Sequence, residues 1–166
     1  PEAKYVHLCN NAVQENNAEF FEASEKKGWN QGCMWDSDQF KAHLKAEGKG
    51  SAWDDKIYPG MREIINSTCK CSQSYMVHRK NSFELYGADF IIDEHFRPWL
   101  IEVNVSPSMS KSTPATEKLV SAVLQDTLKV VIDRKRDRNA DIGRFELALR
   151  QPVHKRIGEN TQRGCN

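Results

Sequence analysis

The chain has 166 residues, 39% hydrophobic and 28% charged, which fits one folded domain or a large piece of one rather than a disordered segment. No apolar run approaches the ~18 residues of a membrane span. Net charge is +1, but ten Lys/Arg stand against five Asp/Glu from residue 129 onward, leaving +5 there and −4 before it. A basic end favours an acidic partner, or is simply a solvated helix end and tail. Nucleic acid is disfavoured, because the basic residues are not interleaved with aromatics.

The start, PEAKYVHLCN, lacks the basic-then-apolar order of a signal peptide. It opens on Pro1 rather than Met, so the chain reads as a fragment whose N-terminal part lies upstream. Five cysteines, at 9, 33, 69, 71 and 165, include no CxxC pair, and Cys69 and Cys71 are too close for zinc spacing. They read as reduced thiols, which points to the cytosol.

In chain order, residues 5–9 read as a short strand or extended entry. Residues 11–32, rich in Asn, Glu, Lys and Gly, read as an exposed connection. A helix is expected over 37–47, capped by Ser37, with Phe40 and Leu44 one turn apart and Gly48 ending it. Pro59-Gly60 then opens a longer helix. Met61, Ile64, Ile65, Thr68, Ser72, Tyr75 and Met76 recur at the helical period, carrying it to about Val77.

Residues 82–93 read as a strand, 93–98 as a turn and 99–105 as a second strand, together a β-hairpin. Trp99, Ile101, Val103 and Val105 fall on one face of that second strand. Ser106-Pro107-Ser108 ends it. Thr113-Pro114 starts a last helix, Thr113 as cap and Pro114 in the first turn. Leu119, Val120, Val123, Leu124, Leu128, Val130 and Val131 give it a wide apolar face, and it ends in the basic residues 134–138. A short apolar stretch at 145–149 precedes a polar tail.

The hairpin carries the chemistry. With the turn centred between His95 and Phe96, Ile92 faces Trp99 and Asp89 faces Glu102. Glu102 and Asn104, two apart, share a face. Opposed carboxylates repel, and the flanking strands are apolar, so a partly buried pair needs neutralising. Asp89, Glu102 and Asn104 offer only oxygen ligands, which suits Mg²⁺ completed by phosphate oxygens. The alternative is an exposed hairpin with solvated carboxylates, and spacing alone does not separate the two. A loop of odd length would move Asp89 to the other face. Trp99, opposite to Glu102 in this register, reads as core.

The string GADF…PWLIEVNVSPS resembles the ATP-grasp ligases and, more closely, the tubulin–tyrosine-ligase-like family. There an Asp on one strand accompanies E-x-N and S-P-S/T on the next. VHLCN is similar to that family's H-L-T-N segment, with Cys9 in place of Thr. With MWDSDQF, IYPGM, DTLKVVIDR and D-x-G-x-FEL, the pattern looks most like the tubulin monoglycylase branch.

The resemblance implies an α+β fold, the C-terminal lobe of an ATP-grasp domain, with an antiparallel hairpin flanked by helices. Residues 1–151 would belong to that catalytic domain and 152–166 would form a basic tail. It implies that Asp89, Glu102 and Asn104 hold Mg²⁺ and the ATP phosphates. His7, Leu8, Cys9 and Asn10 would line the nucleotide cleft, and Ile101 would touch the adenine.

The implied activity is ATP-dependent ligation of glycine to glutamate side chains of acidic tubulin tails through an acyl phosphate. The implied setting is cytoplasmic microtubules, cilia and axonemes. A glutamate ligase of the same family and a non-catalytic tubulin-binding member are the alternatives. The basic stretches 134–138 and 150–156 would meet the acidic tails. The lobe that covers the phosphates with lysines would precede Pro1, so these 166 residues alone are expected not to catalyse ligation.

Overall fold

A computed structural model describes residue 13 and residues 35–150 apart from 78, 80, 112 and 113. The strand expected at 5–9, the connection at 11–32 (Val13 aside), the Thr113 cap and the tail from 152 lie outside the described residues. Among residues 35–150 the order of elements is two helices, a β-hairpin and a third helical segment, the α+β class expected.

Helix α1 spans Ser37–Ala46. Its cap is Asp36, not Ser37. The Asp36 carboxylate accepts the N–H groups of Asp38 at 3.0 Å and Gln39 at 2.9 Å. The Gln39 side chain accepts Asp36 N–H in return at 2.8 Å. This reciprocal box satisfies more orphan donors than a hydroxyl at 37 would, so the cap falls one residue earlier, at 36. Gly48, at φ +71°, takes the chain out of the helix in the left-handed region.

Helix α2 spans Tyr58–Ser72 and is entered through a π-helical turn, Trp53–Ile57. Tyr58 N–H reaches Trp53 C=O, five residues back. The widened turn stands directly before Pro59, which has no N–H to give. The helical segment therefore begins ahead of the Pro59-Gly60 start expected from sequence. It also ends before Val77: Tyr75 and Val77 are each 86% exposed and find nothing to pack on. The Thr68 and Ser72 hydroxyls bond back to Ile64 and Thr68 carbonyls instead of joining an apolar face.

Strands β1, Gly87–Ile92, and β2, Pro98–Asn104, pair antiparallel. The first strand was expected from residue 82, but 82–86 carry no ladder, and Phe83 and Tyr86 are exposed. Leu44, Ala52 and Ile57 form the buried core, with Phe40, Trp53, Met61, Ile92 and Phe96 packed against it. Ile57 is fully buried, worth about 1.5–3 kcal/mol. The hairpin is seated on α2 by close approach: a Cβ on Gly60 would lie 2.7 Å from Pro98 Cγ.

Helix α3 spans Pro114–Leu128 and continues through a second π turn, Lys129–Asp133, into the short helix α4, Arg134–Arg136. The wide apolar face expected here is only partly used. Val120 is buried, whereas Leu119, Leu124 and Leu128 stay exposed.

The chain after α4 is irregular through 145–149 and is tied down by charged side chains. Asp126 accepts Arg144 N–H at 3.0 Å and Lys129 Nζ at 2.9 Å. Lys129 also reaches Asp141 at 2.9 Å, and Asp141 accepts Gly143 N–H at 2.8 Å. Glu146 then pins the strap to α2, accepting the Tyr58 hydroxyl at 2.9 Å and pairing with Arg62 at 3.3 Å.

Two glycines separate backbone strain from crowding. Both Gly48 and Gly143 have positive φ, but a Cβ on Gly48 would meet nothing, whereas one on Gly143 would lie 1.9 Å from the Asp126 carboxyl. Gly48→Ala should cost about 1 kcal/mol, the left-handed penalty alone. Gly143→Ala should cost about 2–4 kcal/mol, since overpacking adds to it. Urea unfolding of the two variants checks the order, and equal losses would mean the strap does not pack as described.

Candidate functional site

The hairpin tip is organised by Asp93. Its carboxylate accepts the backbone N–H groups of His95 and Arg97, both at 2.9 Å. It also accepts Trp99 Nε1–H at 3.1 Å and stands 3.6 Å from Arg97 Nε. Asp93 N–H bonds to Arg97 C=O and Phe96 N–H to Asp93 C=O, each at 3.0 Å. Phe96 closes the turn at φ +64°, a conformation a bulky residue rarely adopts, and its ring packs against the core. The Arg97 N–H foremost, then the Trp99 indole, hold the Asp93 carboxyl below its ordinary range.

Five residues, 93–97, separate the strands. That odd count pairs Ile92 with Pro98 and Ile91 with Trp99, not Ile92 with Trp99 as expected. Continued regularly, it would leave Asp89 facing Ile101. A bulge intervenes. Phe90 pairs with Leu100, Asp89 pairs with Glu102, and Ile101 between them has no cross-strand partner. The expected opposition of Asp89 and Glu102 therefore holds, by a route the sequence reading did not foresee.

The bulge also changes the faces. By register Asp89, Ile91, Trp99, Glu102 and Asn104 share one side of the hairpin. Trp99 is thus on the carboxylate side and 54% exposed, not in the core, and Ile101 and Val105 are exposed too. The buried side is Ile92, Pro98 and their neighbours, pressed onto α2 and the core.

The three oxygen-bearing side chains come together. Asn104 Nδ2 donates to Asp89 Oδ2 at 3.2 Å and to Glu102 Oε1 at 3.4 Å. Asp89 and Glu102 are exposed and Asn104 half-buried, so the site is more open than the apolar strands suggested. Among the described residues no Lys, Arg or His is ion-paired with either carboxylate. No group of three His, Cys, Asp or Glu converges there or elsewhere among them.

The donor set fits a hard divalent cation: two opposed carboxylates, one amide oxygen available by rotation, and, among the described residues, no protein cation paired with them. Behind the site, Pro107 covers Gly87, where a Cβ would come within 3.1 Å of its ring, so the loop after β2 folds back beside Asn104. Of the other expected site residues, Ile101 is the bulge residue, and His7, Leu8, Cys9 and Asn10 lie outside the described residues. Cys69 and Cys71 are free, exposed thiols.

Fold and site together define a class, an α+β chain presenting an oxygen-ligand set on a bulged hairpin. Residues 1–139 match the model of the tubulin-tyrosine ligase family, and the chain belongs to that family. Among its relatives, the mouse (Mus musculus) Protein monoglycylase TTLL8 is 48% identical over 148 residues, 89% of this chain and 18% of that protein. The human (Homo sapiens) Tubulin monoglycylase TTLL3 is 47% identical over 151 residues, 89% of this chain and 19% of that protein. The Drosophila melanogaster Tubulin glycylase 3A is 44% identical over 148 residues, 89% and 15% respectively. The chain thus spans less than a fifth of the length of these relatives.

The depressed Asp93 carboxyl links the tip to pH. Its folded value lies below the unfolded one, so its stabilisation is present above about pH 4 and is lost as pH falls through the folded value. Wild-type stability to urea should therefore drop more between about pH 6 and pH 3 than that of Asp93→Ala. Equal drops would mean that the carboxylate does not hold the turn.

Proposed function

We propose that the protein carrying this chain is an ATP-dependent ligase that joins glycine to glutamate side chains in the acidic tails of tubulin. The observation that carries the reading is the convergence of Asp89, Glu102 and Asn104 within a chain of this family. The preference for glycine rests on the relatives, whose names are those of glycylases.

In this reading residues 1–151 belong to the C-terminal lobe of an ATP-grasp catalytic domain, and 152–166 form a basic tail. Asp89, Glu102 and Asn104 hold Mg²⁺ with the ATP phosphates. The ion offsets the charge that gathers on the phosphates during transfer. His7, Leu8, Cys9 and Asn10 line the nucleotide cleft, and Ile101, free of a cross-strand partner, contacts the base.

The reaction balances without a redox partner. A glutamate carboxylate oxygen takes the γ-phosphoryl group, the bond to the β-phosphate oxygen breaks, and ADP leaves. The glycine amine then attacks the acyl phosphate carbonyl, phosphate departs, and the amine gives up a proton as the isopeptide bond forms. The residues of this chain position the phosphates and leave the remaining contacts to other parts of the protein. Isolated, the 166 residues have no turnover in this reading.

The acidic substrate tails suit the basic residues around α4, Arg134, Lys135, Arg136 and Arg138, all exposed. The site of action is then the microtubule in the cytoplasm, cilium and axoneme.

Full-length protein incubated with tubulin, ATP and labelled glycine or glutamate in parallel should incorporate glycine. Incorporation of glutamate alone would replace this reading by a glutamate ligase, and of neither by a non-catalytic tubulin binder. Glu102→Gln should lower glycine incorporation by about two orders of magnitude or more, the scale of losing a phosphate-neutralising ligand. Retained activity would remove Glu102 from the ligand set.

A further inference from the structure

The hydrogen bonds of Asn104 point one way only. Ionised carboxylates accept and do not donate, so the group that Asn104 turns toward Asp89 and Glu102 has to be its NH₂. A metal ligand would have to present the opposite end of the same amide, its Oδ1. One side chain thus has two orientations with different partners.

The need for the first orientation follows from the fold. The bulge forces Asp89 and Glu102 to face each other, and among the described residues no Lys, Arg or His is paired with either. Directly opposed like charges are destabilising in a sheet. Among the described residues the Asn104 amide is the hydrogen-bond donor between them, one N–H to each, at 3.2 and 3.4 Å. Its cross-strand partner is Gly87, which carries no side chain to compete for the two carboxylates. Asp at 104 would be an equally good oxygen ligand but would place a third negative charge there. Asn is the residue that can bridge two carboxylates without a cation and still offer an oxygen to one.

We propose that Asn104 is a reversible counter-group: its NH₂ bridges Asp89 and Glu102 in the cation-free protein, and the amide turns over to present Oδ1 when a divalent cation arrives. The inference rests on the metal reading above for its second half and on the hairpin alone for its first.

The test uses the intact protein with selectively ¹⁵N-labelled asparagine and MgCl₂ as the probe, ionic strength held constant with NaCl. The Asn104 side-chain amide, assigned by its absence in Asn104→Asp, should show a hydrogen-bonded shift and slowed exchange without MgCl₂, and lose both on saturation. Thermal melting gives a second readout. Asn104→Asp should melt several degrees below wild type without MgCl₂ and recover most of that gap with it. The swap Asp89→Asn with Asn104→Asp restores two carboxylates and one amide, and should melt close to wild type without the cation.

A wild-type amide with free shift and fast exchange, or an Asn104→Asp variant that melts like wild type without MgCl₂, would overturn the bridge. A bridged amide that MgCl₂ leaves unmoved while the protein still binds Mg·ATP would overturn the turnover alone. An unmoved amide with no binding of MgCl₂ or Mg·ATP would sink the nucleotide-ligase reading, and the turnover with it.

Discussion

One extra residue in one strand reconciles two incompatible demands. The hairpin tip needs five residues, so that Asp93 can cap its own turn and Phe96 can enter the core. The site needs Glu102 opposite Asp89. A regular ladder grown from that tip would place Glu102 one step away and on the other face, because side chains alternate with a period of two. The unpaired Ile101 absorbs the mismatch. Everything beyond it toward Asn104 is in the register the oxygen set needs. Everything before it is in the register the core needs.

The helical scaffold holds the tip half of this arrangement. Gly60 lets α2 approach Pro98 so closely that a methyl group would not fit, and Ile57 and Met61 close the core beneath. A strap of residues 141–146 then ties α3 to α2 through Asp126, Lys129, Asp141 and Glu146. Exposed pairs such as Arg62–Glu146 contribute little singly, about 0–1 kcal/mol. The half-buried Lys129, shared by two carboxylates that also accept backbone N–H groups, is the stronger fastening, since leaving the buried Asp126 carboxylate unpaired would cost more than its bonds gain.

Much of this was legible in the residues. Phe40 and Leu44, one turn apart, and Pro59-Gly60 located two helices, and the apolar runs on either side of Asp93–Pro98 located the hairpin. The Asp89–Glu102–Asn104 set was named from spacing and resemblance and is found together. What sequence missed was local competition. Ser37 and Asp36 both suit a cap, and only the reach of Gln39 decides between them. Loop parity depends on Phe96 adopting positive φ, which no propensity favours for a bulky residue. The one signal available was Asp93 itself, since an Asp at the start of a tight turn often bonds the backbone two residues on. Trp99 reads as core only in an unbulged register that puts it on the face opposite Glu102. Its indole N–H to Asp93 and the bulge set it on the open face instead.

Among the described residues the sheet consists of β1 and β2 alone, so each strand has one flank of backbone N–H and C=O groups without a ladder. Two strands are marginal as a sheet in water, and open flanks are templates for further pairing. The same hairpin that orders the ligand set is therefore also a seam. On a longer chain it invites another strand of the same molecule. On a purified short one it invites the neighbour's, and the carboxylates, lying on the face rather than along the flank, do little to discourage it.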